Sequence, residues 1–201
     1  WGSYRRYQTG GFRARDAGWG RVEGDWKPGF WTPTMKHELW STIVETYEPT
    51  RTDWVFPTWE EPPHSPVSDP EMYEEYPMIV TTGRRNPVFF HSEHRQLPWC
   101  RELWPTPRVE INPRTAQAYG IEQGDWVWIE TPYGKIRETA DLYYGIDQDT
   151  INLEHTWWYP EINDNGHGFQ YSAVNQLIDE NAQDPMSGSS NLRGYLAKIY
   201  K

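Results

Sequence analysis

From residue 76 onward the chain alternates short apolar runs with turn-forming residues. Residues 77–82 form a continuous apolar and β-branched run, which predicts a buried strand, and Gly83 marks a point where the backbone turns or is closely approached. In residues 111–120, Asn112 is placed to cap a short helix, Pro113 to occupy its first position and Gly120 to end it. Residues 126–130 and 135–142 flank Pro132-Tyr133-Gly134, which predicts a β-hairpin with the glycine at the turn. Residues 150–155 predict another strand, residues 172–179 a short helix and residues 194–200 a terminal strand. Several short strands with a few short helices predict a closed barrel with helical insertions rather than a parallel βαβ sheet.

Residues 1–76 differ. They hold seven Trp and eight Pro with little periodicity, and end in the Pro- and acid-rich run from Glu60 to Pro70, so they predict an extended, irregular arm. One patch is regular: Met35, Leu39, Ile43 and Tyr47 fit helical spacing. Alternatively, residues 36–40 form a short strand, followed by a short helix with Thr42 and Glu45 as its capping box.

Composition sharpens this division. Leu, Ile, Val and Phe make up about 17% of the 201 residues, which with a net charge of −10 lies in the range of disordered chains. Thirteen Trp and thirteen Tyr oppose that reading, because each buried ring removes ~150–250 Å² from water. With 19 basic against 29 acidic residues, the chain lacks the basic footprint that nucleic-acid partners need. It contains no apolar run long enough to span a membrane. It starts at Trp1 without a signal pattern, so a piece of a longer protein is expected and the compartment stays open. Its one cysteine, Cys100, permits no internal disulfide and no cysteine-based metal or iron–sulfur site, and is expected to serve packing.

Candidate chemistry concentrates between Arg84 and Arg114, where the local charge reverses to +3 through Arg84, Arg85, Arg95, Arg101, Arg108 and Arg114. Arginines opening directly after a strand and a glycine suit an anion such as a phosphate, since guanidinium forks and exposed backbone N–H groups both bind its oxygens. Surface arginines paired with neighbouring glutamates are the alternative. His91-Ser92-Glu93-His94 lacks further ligands at metal-binding spacing, so it is a candidate for hydrogen bonding to a polar ligand or for a structural role. No hydrolase elbow or phosphate loop occurs.

Taken in order, several motifs resemble the C-terminal part of the dimethyl sulfoxide reductase family of molybdenum and tungsten oxidoreductases. They are Met78 to Arg84; His91-Ser92-x-x-Arg95; Pro107-x-Val109-Glu110-Ile111-Asn112-Pro113; Ala118-x-Gly120-Ile121-x-x-Gly124-Asp125-x-Val127; Asn175-x-Leu177; and Asp184-Pro185-x-Ser187-Gly188. Phe30-x-Thr32-Pro33-Thr34-x-Lys36-x-Glu38-Leu39-x-Ser41 and Ser65 to Pro70 look like the family's linker, in which residues 36–40 would be extended. That favours the strand-then-short-helix alternative. The resemblance covers residues 30–201.

The resemblance implies a mainly β fold with short helices: a double-psi β-barrel of the aspartate-decarboxylase-like type over residues 77–201, preceded by an irregular arm over 1–76. It implies that this barrel clamps one pterin of a bis-molybdopterin guanine dinucleotide cofactor carrying Mo or W. By position, Thr82, Gly83, Arg84 and Arg85 match the first cofactor-contacting turn, and His91, Ser92 and Arg95 the next loop. Asn175 matches the Asn-x-Leu site, and Arg193 stands where the family often has Lys. The metal ligand and any Fe–S cysteines lie in earlier domains of that family, so no catalytic or metal-ligating residue is expected here. The implied partners are the other domains of a full-length chain and an Fe–S electron-transfer subunit, and the implied location is the prokaryotic cytoplasm or, after export, the periplasm or cell surface. A non-catalytic, aromatic-rich carbohydrate-binding module is the competing reading, suggested by Trp157-Trp158-Tyr159 and the Trp-rich first half.

Overall fold

The computed structural model describes residues 37–83, 86–184 and 187–201, which fall into two compact units divided between Glu60 and Glu61. In the first unit, helix α1 (Thr42–Tyr47) is capped by Ser41, whose Oγ accepts from the Val44 N–H at 3.3 Å. The cap thus lies one residue before the expected Thr42, and Glu45 instead accepts from the Trp40 indole at 3.0 Å. Residues 37–40 form no strand, correcting that expectation, and Lys36 lies outside the described residues. Ser41 donates its backbone N–H to the Val55 carbonyl at 2.8 Å.

The second unit opens with helix α2 (Pro70–Glu75), capped by Asp69 with Pro70 in its first turn. It is one of two helices the periodicity did not reveal. The barrel strands follow: β1 (Met78–Thr82), β2 (Arg108–Ile111), β3 (Trp126–Thr131), β4 (Gly134–Leu142), β5 (Thr150–Leu153) and β6 (Tyr195–Tyr200). They close in the order β1-β5-β2-β4-β3-β6, with β1/β5 and β2/β4 parallel and the other pairs antiparallel. This is the closed six-stranded barrel expected. Closure leaves no strand edge unpaired and encloses an aliphatic core that includes Val80, Val109, Ile129, Ile136, Ile151 and Leu153, all fully buried. Each contributes ~1.5–3 kcal/mol relative to exposure, so the few aliphatic residues are concentrated where they stabilise most.

Helix α3 (Pro98–Leu103) lies in the long β1–β2 connection, and α4 (Pro113–Ala118) follows β2. Asn112 caps α4 by accepting from the Arg114 N–H at 3.0 Å, and Gly120 ends it at φ +66°, as expected. Two expectations need correction. Residues 169–171 and 174–176 form separate 3-10 turns rather than one helix over 172–179. Gly134 belongs to β4 rather than to the hairpin turn, and a Cβ there would lie 2.3 Å from the Gln176 carbonyl oxygen, so close approach by another segment explains the glycine.

Candidate functional site

Strand directions decide which residues meet. β1 and β5 run parallel with Thr82 opposite Leu153, while β6 runs antiparallel to both β1 and β3. One barrel end therefore gathers the ends of β1, β3 and β5 with the starts of β2, β4 and β6. The turn after β1, the segment before β6 and the chain after β5 all emerge there.

Thr82 and Gly83 meet Arg193 at this end. The Thr82 hydroxyl donates to the Leu192 carbonyl at 2.7 Å, and the Gly194 N–H donates to the Val80 carbonyl at 2.8 Å. The Arg193 guanidinium donates through Nε to the Thr82 carbonyl at 2.9 Å and stays exposed. Gly83 has φ +148°, and a Cβ there would come within 3.0 Å of Arg193 Nη2. A side chain there would push the guanidinium aside and sit at a positive φ that favours glycine. Arg84 and Arg85 lie outside the described residues.

His91 and Ser92 are exposed on the following loop, tied to the chain that leaves β5. His91 Nδ1 lies 3.3 Å from His155 Nε2, and the Trp158 indole donates to the Ser92 carbonyl at 2.6 Å. His91 itself has φ +48°, a conformation that costs a non-glycine residue about 1–3 kcal/mol. Burial first, then His91 and Arg95, holds the His155 imidazole below its ordinary pKa.

Arg95 turns inward. Its side chain is 1% exposed, with the guanidinium 4.0 Å from the Phe89 ring centre and 4.5 Å from that of Trp157. Its counter-charge is Glu154, also 1% exposed, at 4.0 Å. Glu154 additionally accepts from Asn86 Nδ2 at 2.7 Å, the Trp104 indole at 2.9 Å and the Arg108 N–H at 3.2 Å. Burial pulls Arg95 down and pushes Glu154 up, and the ion pair only partly offsets this. Asn86 also accepts from the N–H groups of Val88 and Phe89, so this buried knot shapes the loop that carries His91.

Asn175 is exposed on the second 3-10 turn, which docks on the β3–β4 hairpin through the Thr131 hydroxyl donating to the Leu177 carbonyl at 2.8 Å. It therefore sits at the same barrel end as Arg193. The described arginines do not form the single cluster that the charge reversal suggested. Arg101 pairs with Glu161 at 2.9 Å, Arg108 lies over the Trp104 ring and Arg95 is buried. Trp157 and Tyr159 join Phe89 in a buried aromatic cluster against which Cys100 packs, so those rings are core rather than a sugar platform. Asn86, Glu154 and His155 escaped sequence reading, and Trp158 was singled out only as part of a sugar platform, because only the β1–β5 pairing brings residues 154–158 beside the 86–95 loop. The adjacent charged pair Glu154-His155 at a strand end was the one available signal.

A glycine turn, an exposed guanidinium, an exposed imidazole and an exposed carboxamide lie at one barrel end, a set of groups whose chemistry suits a planar, anionic, hydrogen-bonding ligand. Residues 78–196 match the family model described as Molydopterin dinucleotide binding domain. The chain belongs to this family, within the dimethyl sulfoxide reductase family of oxidoreductases. It is 67% identical to dopamine dehydroxylase of Eggerthella lenta over 208 aligned residues, covering 100% of this chain and 20% of that protein. It is 34% identical to acetylene hydratase of Syntrophotalea acetylenica, over 86% of this chain and 24% of that one. The solved structure of acetylene hydratase from Pelobacter acetylenicus superposes with a TM-score of 0.76 at 32% identity, over 86% of this chain and 24% of that one. The chain thus spans about a fifth to a quarter of the length of these relatives. Among the described residues no helix is long and apolar enough to cross a membrane.

Proposed function

We propose that this chain is the part of a molybdenum or tungsten reductive dehydroxylase that clamps one pterin dinucleotide of a bis-molybdopterin guanine dinucleotide cofactor. The arrangement of Gly83 and Arg193 supports the clamp: the glycine makes room for the guanidinium, which is tied to the Thr82 carbonyl and stays exposed at the barrel end where it suits a phosphate oxygen. Thr82, Gly83, Arg84, Arg85, His91, Ser92, Asn175 and Arg193 are the proposed contacts. Arg95 is enclosed by protein and acts from behind the loop, through the Glu154 knot. Residues 77–201 form the clamp and residues 1–76 the connecting arm. The cofactor, when bound, supplies the redox chemistry, and this chain's residues bind and orient it.

The dehydroxylase reading rests on one observation, the 67% identity to dopamine dehydroxylase along the whole chain. The reaction class replaces an aromatic C–OH by C–H, consuming two electrons and two protons and releasing water. The electrons come from an external reductant, through an Fe–S centre in the full-length chain or in a separate subunit. Metal and guanine analysis of the intact enzyme tests the clamp, and absence of both Mo/W and guanine nucleotide overturns it. Anaerobic incubation of that enzyme with dopamine and a reduced viologen tests the reaction. Loss of one ring hydroxyl is expected, and unchanged dopamine in the metal-loaded enzyme overturns the dehydroxylase reading alone.

A further inference from the structure

Two loops at the clamp end carry all four non-glycine residues with positive φ among those described: His91 (+48°) and His94 (+70°) on one, Thr156 (+59°) and His167 (+48°) on the other. The loops are tied to each other at the same place. Trp158 donates to the Ser92 carbonyl at 2.6 Å and its ring lies 5.7 Å from that of His167, while the His91 and His155 rings meet edge to face at 5.2 Å. Strained backbone persists only where its surroundings over-determine it, and here the strain presents one pair of imidazoles to each other.

The His91–His155 contact runs between Nδ1 of one ring and Nε2 of the other at 3.3 Å. One proton lies on that line. Two imidazolium rings cannot face each other this way, so at least one ring is neutral. Burial first, then His91 and Arg95, disfavours a charge on His155. Among the described residues, the other charged groups near the pair are Glu154, next to His155 in sequence but turned toward Arg95 and Asn86, and Glu93, which pairs with His94 at 3.6 Å. None of these intervenes between the two rings.

We infer that His155 is a positioning residue for His91: its Nε2–H occupies His91 Nδ1, so that His91 carries its own proton on Nε2 and offers it to an acceptor oxygen of the dinucleotide. Which nitrogen of an imidazole faces a ligand is set by the hydrogen bond the other nitrogen makes. An exposed His91 without this partner exchanges between two tautomers, only one of which donates outward. The Phe90 ring packs edge to face on His91 at 4.3 Å. The inference rests on His91 contacting the cofactor, as proposed above, and adds the atom it uses and the residue that sets it.

Retention of guanine dinucleotide by the full-length holoenzyme during dilution, followed as released guanine nucleotide, tests the relay. His155→Gln keeps a side-chain N–H in the Nε2 position, whereas His155→Leu removes it. H155L is expected to release guanine nucleotide roughly tenfold faster than wild type, and H155Q close to the wild-type rate. In an H91L background, H155L should add no further acceleration, because His155 acts through His91. Equal release by H155L and wild type overturns the inference, as does failure of H155Q to rescue or an undiminished H155L effect in the H91L background. Wild-type retention by H91L with an unchanged thermal midpoint overturns the cofactor contact at His91 itself, and the relay with it.

Discussion

Arg193 donates through Nε to the backbone carbonyl of Thr82 at 2.9 Å, although 111 positions separate them in the chain. The bond exists because β6 runs antiparallel to β1, so the segment entering β6 passes the turn leaving β1. It fixes a guanidinium against Gly83, which has no side chain. Gly83→Ala would place a methyl group 3.0 Å from Arg193 Nη2 on a backbone at φ +148°. We expect G83A to cost about 1 kcal/mol or more in stability and to displace Arg193 from its carbonyl. Guanine and metal content of the full-length G83A enzyme should fall relative to wild type, and unchanged occupancy would refute the turn as a cofactor contact.

Thr82 supports the same arrangement from the other side. Its hydroxyl donates to the Leu192 carbonyl at 2.7 Å, and valine has the same shape without the donor. Thr82→Val should cost about 1 kcal/mol, the usual net contribution of one hydrogen bond. Denaturant unfolding would show the loss, and hydrogen exchange should rise at residues 191–194 before it rises in the strands. Uniform loosening of the whole barrel would argue against a local tether.

Strands, the α4 cap and the barrel itself were legible because their signals are local: β-branched runs, Asn112-Pro113 with Gly120, and the 126–142 hairpin. The 3-10 turn over 174–176 was read as a helix over 172–179 because the apolar spacing of Val174, Leu177 and Ile178 also fits a helical turn. Gly134 was assigned to the turn because sequence shows that a residue is small, and not that the Gln176 carbonyl lies against it. Family motifs singled out Thr82, Gly83, His91, Asn175 and Arg193, which the strand directions bring to one end, yet they could not separate exposed from buried arginines. Arg95 belongs to a motif with His91 and Ser92, but its side chain points into Phe89 and Trp157. That orientation depends on Glu154, which only the parallel β1–β5 pairing delivers.

Tyr200 donates to Glu130 at 2.6 Å across the β3–β6 pair, and this bond first, then Lys198, holds the Glu130 carboxyl below its ordinary value of 4.5. A depressed carboxylate contributes stability that is fully present above its unfolded pKa and lost as pH falls through the folded one. Tyr200→Phe should therefore cost about 1 kcal/mol at neutral pH. The difference from wild type should shrink once pH drops below about 4.5, where Glu130 protonates in both the unfolded chain and the variant. A gap that stays constant from pH 7 to pH 3 would assign the effect to packing of the ring instead.

Glu154 is the acceptor for Asn86, Trp104 and the Arg108 backbone, and the counter-charge of Arg95. Removing its carboxylate strands a buried cation and takes the acceptor from three half-buried donors at once. Breaking a buried pair on one side costs about 3–5 kcal/mol, because the remaining charge has no water to turn to. Glu154→Ala should reach that range in denaturant unfolding. Arg95 also packs between two aromatic rings, a place an unbranched, polarizable side chain can fill. The double variant Arg95→Met with Glu154→Ala should thus recover part of the loss, since it removes the stranded charge while keeping contact with Phe89 and Trp157. If the double variant is as unstable as the sum of its single variants, the charge is not the cause and the three orphaned donors are.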